Sequence, residues 1–526
     1  MRRMMLANLK WTVVAVASFM VVSACSEDNI IYQDREAFNP PADAVSGMLG
    51  YYSIADKQTG CGNCHADTQV EWSETAHADA WAGLQGSGHA ADYCEGCHTV
   101  NELGNHLTAA AGWSAVKDST YLDVQCESCH GPGNNHAGSP SATQPLASIA
   151  ADTGATNGCG ECHNGTHHPF VEQWAQSKHG SGSSFGYAGG RSGCDECHSA
   201  QGALAEQFNS SADYFEKDGD PLPIVCAVCH DPHGGPFDGQ LRAPVAEDSP
   251  RGLCLVCHNR HTVPSSGTRG AHAAQGPLVF GEHVGWWPDG FEWLDGLTGS
   301  HGDVDVNEGL CATCHVVMFE VTDEATDEFV FQSVGHTFEA ISCLDAEGIP
   351  TTEECTNDER DFSACVACHA SEGAAQLLYE NFRDTLNFYL DQIWVDTDGD
   401  EIIDPAPTDA GVLPQILQVT GDDKQLDRSD TLFTAAEGIL YNAQLAATHD
   451  RELFLEGATI VIDQATGQPD TVSFPAHFSA GNGVHNPPFL EALLKASIQH
   501  AIDFYGIPAP AGVDLAIRAD RSQFKR

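Results

Sequence analysis

Between Cys61 and His369 the pattern Cys-x-x-Cys-His occurs nine times, and no other feature constrains the fold as strongly. The copies, numbered one to nine in chain order, are Cys61/Cys64/His65, Cys94/Cys97/His98, Cys126/Cys129/His130, Cys159/Cys162/His163, Cys194/Cys197/His198, Cys226/Cys229/His230, Cys254/Cys257/His258, Cys311/Cys314/His315 and Cys365/Cys368/His369. This is the attachment signature of c-type haem. The two thiols bond to the haem vinyl groups, and the adjacent His becomes the proximal iron ligand. Two intervening residues put both sulfurs along one edge of the porphyrin, within reach of the His. Paired Cys-x-x-Cys elements also bind zinc, but zinc needs no His after every second Cys, and here all nine copies have one. Nine covalently attached haem c groups are therefore expected.

The motif-bearing stretch is rich in Gly, Asn, Asp and His. It has too few large aliphatics for a protein-only core. Haems would supply the missing hydrophobic mass, so folding is expected to depend on them, as small metal domains depend on their metal.

Nine motifs use 18 of the 21 Cys, leaving Cys25, Cys343 and Cys355. Arg2, Arg3 and Lys10 precede a short apolar run, Trp11 to Val22, which is too short for a comfortable membrane span. Val22-Ser23-Ala24-Cys25 then has the form of a lipobox, so residues 1–24 are expected to be a lipoprotein signal peptide, with Cys25 lipidated. An ordinary signal peptide with an incidental Cys is the alternative. Ser26, in place of an Asp, favours the outer membrane, on its periplasmic or cell-surface face. Residues 25–55, polar with Pro40-Pro41, read as a flexible tether. Export permits disulfides, and Cys343 and Cys355 are expected to close a surface loop rather than remain free thiols.

There are 74 acidic and 23 basic residues, a formal charge of -51. With no basic footprint, nucleic-acid binding is excluded. Such a field favours solubility and steers basic redox partners. Other redox proteins, basic cytochromes or an outer-membrane complex are the expected partners, with membrane contact through the lipid on Cys25.

Residues 56–236 contain a trihaem block written twice. Motifs one to three begin at 61, 94 and 126, and motifs four to six at 159, 194 and 226. Glu71-Trp72 to His77 aligns with Gln173-Trp174 to His179, and Val124 to His136 aligns loosely with Ile224 to His233. The Ser/Pro/Ala stretch 139–156 reads as the linker. Residues 237–370 hold the last three motifs at wider spacing, and residues 371–526 hold none. In this haemless C-terminal domain, helical periodicity runs over Ala374–Trp394, Leu432–Ala447 and Pro487–Tyr505, with Ala458–Ile462 and Thr471–Phe474 as a hairpin. The expected fold is mainly α with much irregular loop, organised by covalent haems, plus a C-terminal helical domain with a small β-hairpin. Asp396, Asp398, Asp400 and Asp404 have calcium-loop spacing, without Gly at the sixth or Glu at the twelfth position. Calcium there stands against an ordinary acidic loop.

Function turns on the sixth position of each iron, because a second His gives an electron-transfer haem and an open position admits substrate. Of 26 His, nine are proximal and seventeen remain, enough for every iron. The repeat selects His77, His179, His136 and His233. Local context adds His301, His272, His336 and His485, the last just before the Pro487 helix. The ninth is undecided among His106, His89, His261 and His283.

Trp72 to His77, the Cys126–His136 segment, Gly335-His336-Thr337-Phe338 and Gly483-Val484-His485-Asn486-Pro487 carry a wider resemblance. Over residues 58–505 the chain resembles the multihaem cytochrome c superfamily of the tetrahaem cytochrome c-554 type, the pentahaem nitrite reductases, and the octahaem hydroxylamine oxidoreductase and tetrathionate reductase types. The resemblance implies that these His are distal haem ligands and that haems stack in parallel and perpendicular pairs. The Cys-x-x-Cys-Lys motif common in nitrite reductases does not occur here, and nine motifs match neither enzyme's usual count. The chain is expected to be an electron carrier between periplasmic carriers and an outer-membrane or extracellular acceptor. The alternative is an oxidoreductase acting on nitrite, hydroxylamine or tetrathionate at one open haem.

Overall fold

A computed structural model describes residues 41–518 except 152–156, 167, 246–251, 261–262, 267–269, 282–283, 292–298, 324–325, 327, 347, 352–354, 422, 427–430, 449–461, 464–467 and 470–482. The expected signal peptide and Cys25, most of the tether, His261 and His283 lie outside the described residues.

Each Cys-x-x-Cys-His segment forms a helical turn. A single turn suits the motif because residues three apart then lie on one side. In motifs one, four, five, six, seven and nine the His N–H donates to the carbonyl of the first Cys, at 2.9 to 3.1 Å. Helix α1, Ala66–Ser73, follows motif one, and helix α2, Phe170–Gln176, follows motif four. The duplication is visible in their bonds. Trp72 Nε1 donates to Val124 O at 2.9 Å and Trp174 Nε1 to Ile224 O at 2.7 Å. Val124 N donates to His77 O at 3.1 Å, and Ile224 N to His179 O at 3.2 Å. In both blocks a buried indole thus ties the third motif's approach to the loop carrying a candidate ligand.

The stretch 139–156, read from sequence as a linker, is packed for part of its length. Ile149 and Ala151 are buried in the second block's apolar cluster. Cys159 N donates to Ala150 O at 3.0 Å, and Phe215 N to Ala147 O at 3.1 Å.

The larger protein-only core lies around the helices after motif nine. These are α3, Glu372–Ile393, α4, Val412–Thr420, α5, Ala435–Ala446, and α6, Pro487–Tyr505. Ser371 caps α3 through Ala374 N, a capping box of Thr434 and Glu437 opens α5, and Gly506 in the left-handed region closes α6. Three of these helices match the sequence periodicity. The fourth, α4, did not stand out, being short with Pro414 inside it; Pro414 sits in the first turn, where a missing N–H costs little. Ala271, Ala274, Leu278 and Val284, from between motifs seven and eight, complete this core.

Four antiparallel two-stranded ladders occur among the described residues. The longest pairs β1, Met318–Thr322, with β2, Phe329–Val334, and was not anticipated. The expected hairpin strands Ala458–Ile462 and Thr471–Phe474 lie outside the described residues except Ile462, which pairs with Pro469. Cys343 and Cys355 form the expected disulfide, S–S 2.02 Å. Among the described residues, no helix is long and apolar enough to cross a membrane.

Asn442, fully buried on α5, joins the motif region to the helices. Its Oδ1 accepts from Trp286 N at 2.7 Å; its Nδ2 donates to Trp286 O at 2.7 Å and to Ser497 Oγ at 2.8 Å. Asn442→Ala strips partners from buried polar groups and is expected to cost about 2–3 kcal/mol. The check is a lower denaturant midpoint of the holo-protein at unchanged haem content.

Candidate haem-ligating sites

The structure pairs imidazoles. His65 faces His136, His130 faces His233, His163 faces His77 and His198 faces His272, at ring-centroid separations of 6.2, 6.0, 6.1 and 5.9 Å. His230 faces His336, His258 faces His179, His315 faces His485 and His369 faces His301, at 6.3, 6.2, 6.3 and 6.4 Å. Each pair joins a motif His to one of the eight His singled out in the sequence. A metal bonded to both Nε2 atoms at about 2.0 Å, with each ring adding about 1.2 Å, sets the centroids roughly 6.4 Å apart. The residues therefore fit an iron between each pair.

Hydrogen bonds set the tautomer that ligation needs. A carbonyl can only accept, so a ring nitrogen bonded to one carries its proton and leaves the other lone pair free. His315 Nδ1 donates to Phe338 O, His130 Nδ1 to Pro145 O, His336 Nδ1 to Val334 O and His301 Nδ1 to Val484 O, each at 2.8 Å. His136 Nδ1 donates to Thr143 O and His230 Nδ1 to Gly239 O. The 139–156 stretch thus orients two ligand candidates through its carbonyls. Burial holds His163 and His179 down to about 4, and lowers His77, His130, His258 and His336 as well, keeping these rings neutral. His233 runs the other way, raised by its hydrogen bond to Asp231, whose Oδ1 lies 3.5 Å from Nδ1. A carboxylate behind a ligand His raises its basicity.

Backbone features place these rings. Gln173 on α2 donates to Gln332 O at 2.9 Å and accepts from Val334 N and His336 N at 3.0 and 3.2 Å, fixing the end of β2. Gly335 there has φ +73°, and a Cβ would meet the Val316 carbonyl carbon at 2.6 Å. Phe338, whose carbonyl orients His315, holds φ +57°, a conformation costing an L-residue roughly 1–2 kcal/mol.

The pairing crosses the blocks, contrary to the local supply that the repeat suggests. His77 of block one faces His163 of block two, and His233 of block two faces His130 of block one. His179 faces His258, beyond both.

His98 stands apart. Its Nδ1 donates to Ala80 O at 2.8 Å, as in a ligating His, yet among the described residues no second imidazole faces it. Of the candidate ninth ligands, His106 packs on Phe215 at 3.7 Å beside Asn157, and His89 is exposed on a loop.

Electrostatic influence between thiols orders the motifs in space. Cys126 is near enough to shift Cys61, as are Cys159 to Cys129, Cys226 to Cys159 and Cys229 to Cys254. Cys254 likewise shifts Cys311, and Cys368 shifts Cys314. The motifs thus run one, three, four, six, seven, eight, nine. Motif two joins at four through Cys97 and Cys162, and motif five at seven through Cys197 and Cys257.

Asp396, Asp398 and Asp409 form one acidic group, and Asp398, Asp400 and Asp404 another. Asp409, which the loop spacing did not include, accepts from Trp394 Nε1 at 3.1 Å and from Asp404 N at 2.9 Å.

Residues 60–131 match the family model described as cytochrome c554 and c-prime, and residues 217–263 match that of the doubled CXXCH motif. A solved structure titled outer cell wall cytochrome OcwA is similar at 16% identity and a TM-score of 0.47, over 87% of this chain and 100% of that one. No curated protein matches. The chain is a multihaem c-type cytochrome.

Replacing His485 by Ala removes the ring facing His315 from a helix far along the chain. One haem is expected to become high-spin, adding an axial signal to the ferric electron paramagnetic resonance spectrum, while haem content stays unchanged.

Proposed function

We propose that the chain is a nonahaem electron-transfer protein, passing electrons between periplasmic carriers and an outer-membrane or extracellular acceptor. The observation that carries this reading is the facing of eight motif His by a second His at bis-imidazole spacing. Bound haem supplies one-electron chemistry. Eight motif His with their facing partners would hold irons between two imidazoles, and backbone carbonyls fix several of those rings, so little would reorganise when the charge changes.

A second reading rests on His98. Among the described residues no second imidazole faces His98, so a haem held by Cys94, Cys97 and His98 would offer a position for ligation and reduction of a small nitrogen or sulfur compound. Electron paramagnetic resonance of the oxidised protein tests both readings. The expected spectrum is low-spin for eight haems and high-spin for one, and nitrite or hydroxylamine converts the high-spin signal. Nine low-spin haems that ignore these compounds would remove the second reading. Several high-spin haems would remove the first.

Ser23-Ala24-Cys25 supports a lipid-anchored location at the outer membrane. Cys25→Ala is expected to release the haem protein from the membrane fraction, and mass spectrometry of the wild-type amino terminus to find a diacylglycerol-modified Cys25. An unmodified Cys25 in the mature protein would contradict this placement.

A further inference from the structure

The row of motifs has two ends, motif one and motif nine. Of the eighteen attachment cysteines, only Cys64 and Cys368 are exposed, and they belong to those two motifs. An electron leaving a protein must reach its surface, so the ends of the row are the natural places for a partner to dock. This step rests on the electron-transfer reading above.

The two ends differ in chemistry. At motif nine, exposed Val366, Ala367 and Leu377 stand in the chain among exposed Asp358, Glu359 and Glu372 and half-buried Arg360 and Arg383, so the acidic charge there is partly offset. At motif one, α1 begins directly after His65 and presents Asp67 and Glu71 to solvent, with Glu74 at its carboxyl end. Exposed Val70 stands among them. No Lys or Arg occurs between Lys57 and Lys117. Those two cations are already engaged, Lys57 with Asp79 and Lys117 with Glu95. The surface beside Cys64 is therefore acidic around an apolar residue, the form of a transient interface that steers by charge and closes by contact.

We propose that the motif-one end of the row, with Asp67, Glu71 and Glu74 of α1 beside Cys64, is where a positively charged redox protein docks to exchange electrons with this chain. The partner's class follows from the charge, and its site from the end of the row.

The test uses full-length holo-protein and a basic monohaem cytochrome c as the probe. Binding is measured calorimetrically with both proteins oxidised, and electron exchange by stopped flow, each over a range of salt. The variant Asp67→Asn/Glu71→Gln/Glu74→Gln is compared with Asp358→Asn/Glu359→Gln/Glu372→Gln at the motif-nine end. The first variant is expected to weaken binding about tenfold at low salt and to flatten the salt dependence of the rate. The second is expected to change both by less than about twofold. Unchanged binding in the first variant overturns the proposal, as does an equal loss in both, which would mean a diffuse field rather than a docking face. Electron paramagnetic resonance of each oxidised variant reports separately on the electron-transfer reading. Low-spin signals for at least eight haems in every variant uphold that reading whatever the docking result, and several high-spin haems overturn it.

Discussion

The structure depends on opposing one imidazole to another across a gap that fits an iron. A buried imidazole pair without a metal is unfavourable: two lone pairs face each other, and burial denies either ring a proton. Several pKa values here fall for that reason, with His163 and His179 held at about 4. With a metal between them, the same neutral rings become strong ligands. The buried pairs therefore carry a requirement for a cofactor, which helps a segment with small scattered apolar clusters hold one shape. The largest of those clusters over motifs four to six has ten buried members, whereas the core around α3 to α6 has thirty. The helices can stand on aliphatic packing. The motif region stands on the groups it binds.

Much of this was legible, and the limits have physical causes. The Cys-x-x-Cys-His pattern is local and obligatory, so the sequence displays it completely. The eight partner His were found because a repeat or a distinctive neighbour marked them. Which motif each faces was not legible, since nothing local to His77 records that His163 will lie opposite. That information sits in long-range packing, such as Trp72 bonding to Val124 and Gln173 bonding across to β2. The carbonyls that fix the rings were equally hidden, because every residue has one. Pro145 and Thr143 looked like linker, and their side chains say nothing of the oxygens that hold His130 and His136.

The exchange of His between blocks changes what the duplication means. Two independent trihaem units would each close their own sites. Here block one lends His77 and borrows His233, so neither block completes its pairs alone. The asymmetry at His98 follows from the same arrangement. Its counterpart in block two, His198, faces His272, which comes from the chain beyond that block's third motif. After the third motif of block one, the chain runs through His136, already opposed to His65, and then directly into motif four. In block one the corresponding stretch of chain leads straight into the second copy. Placing the copies in tandem accounts for the absence, among the described residues, of an imidazole facing His98, and motif two lies on a branch off the row that joins motif one to motif nine. On the reading in which a haem at motif two is open, a small molecule bound there would leave the path along the row intact, so the two proposed roles do not compete for the same motifs.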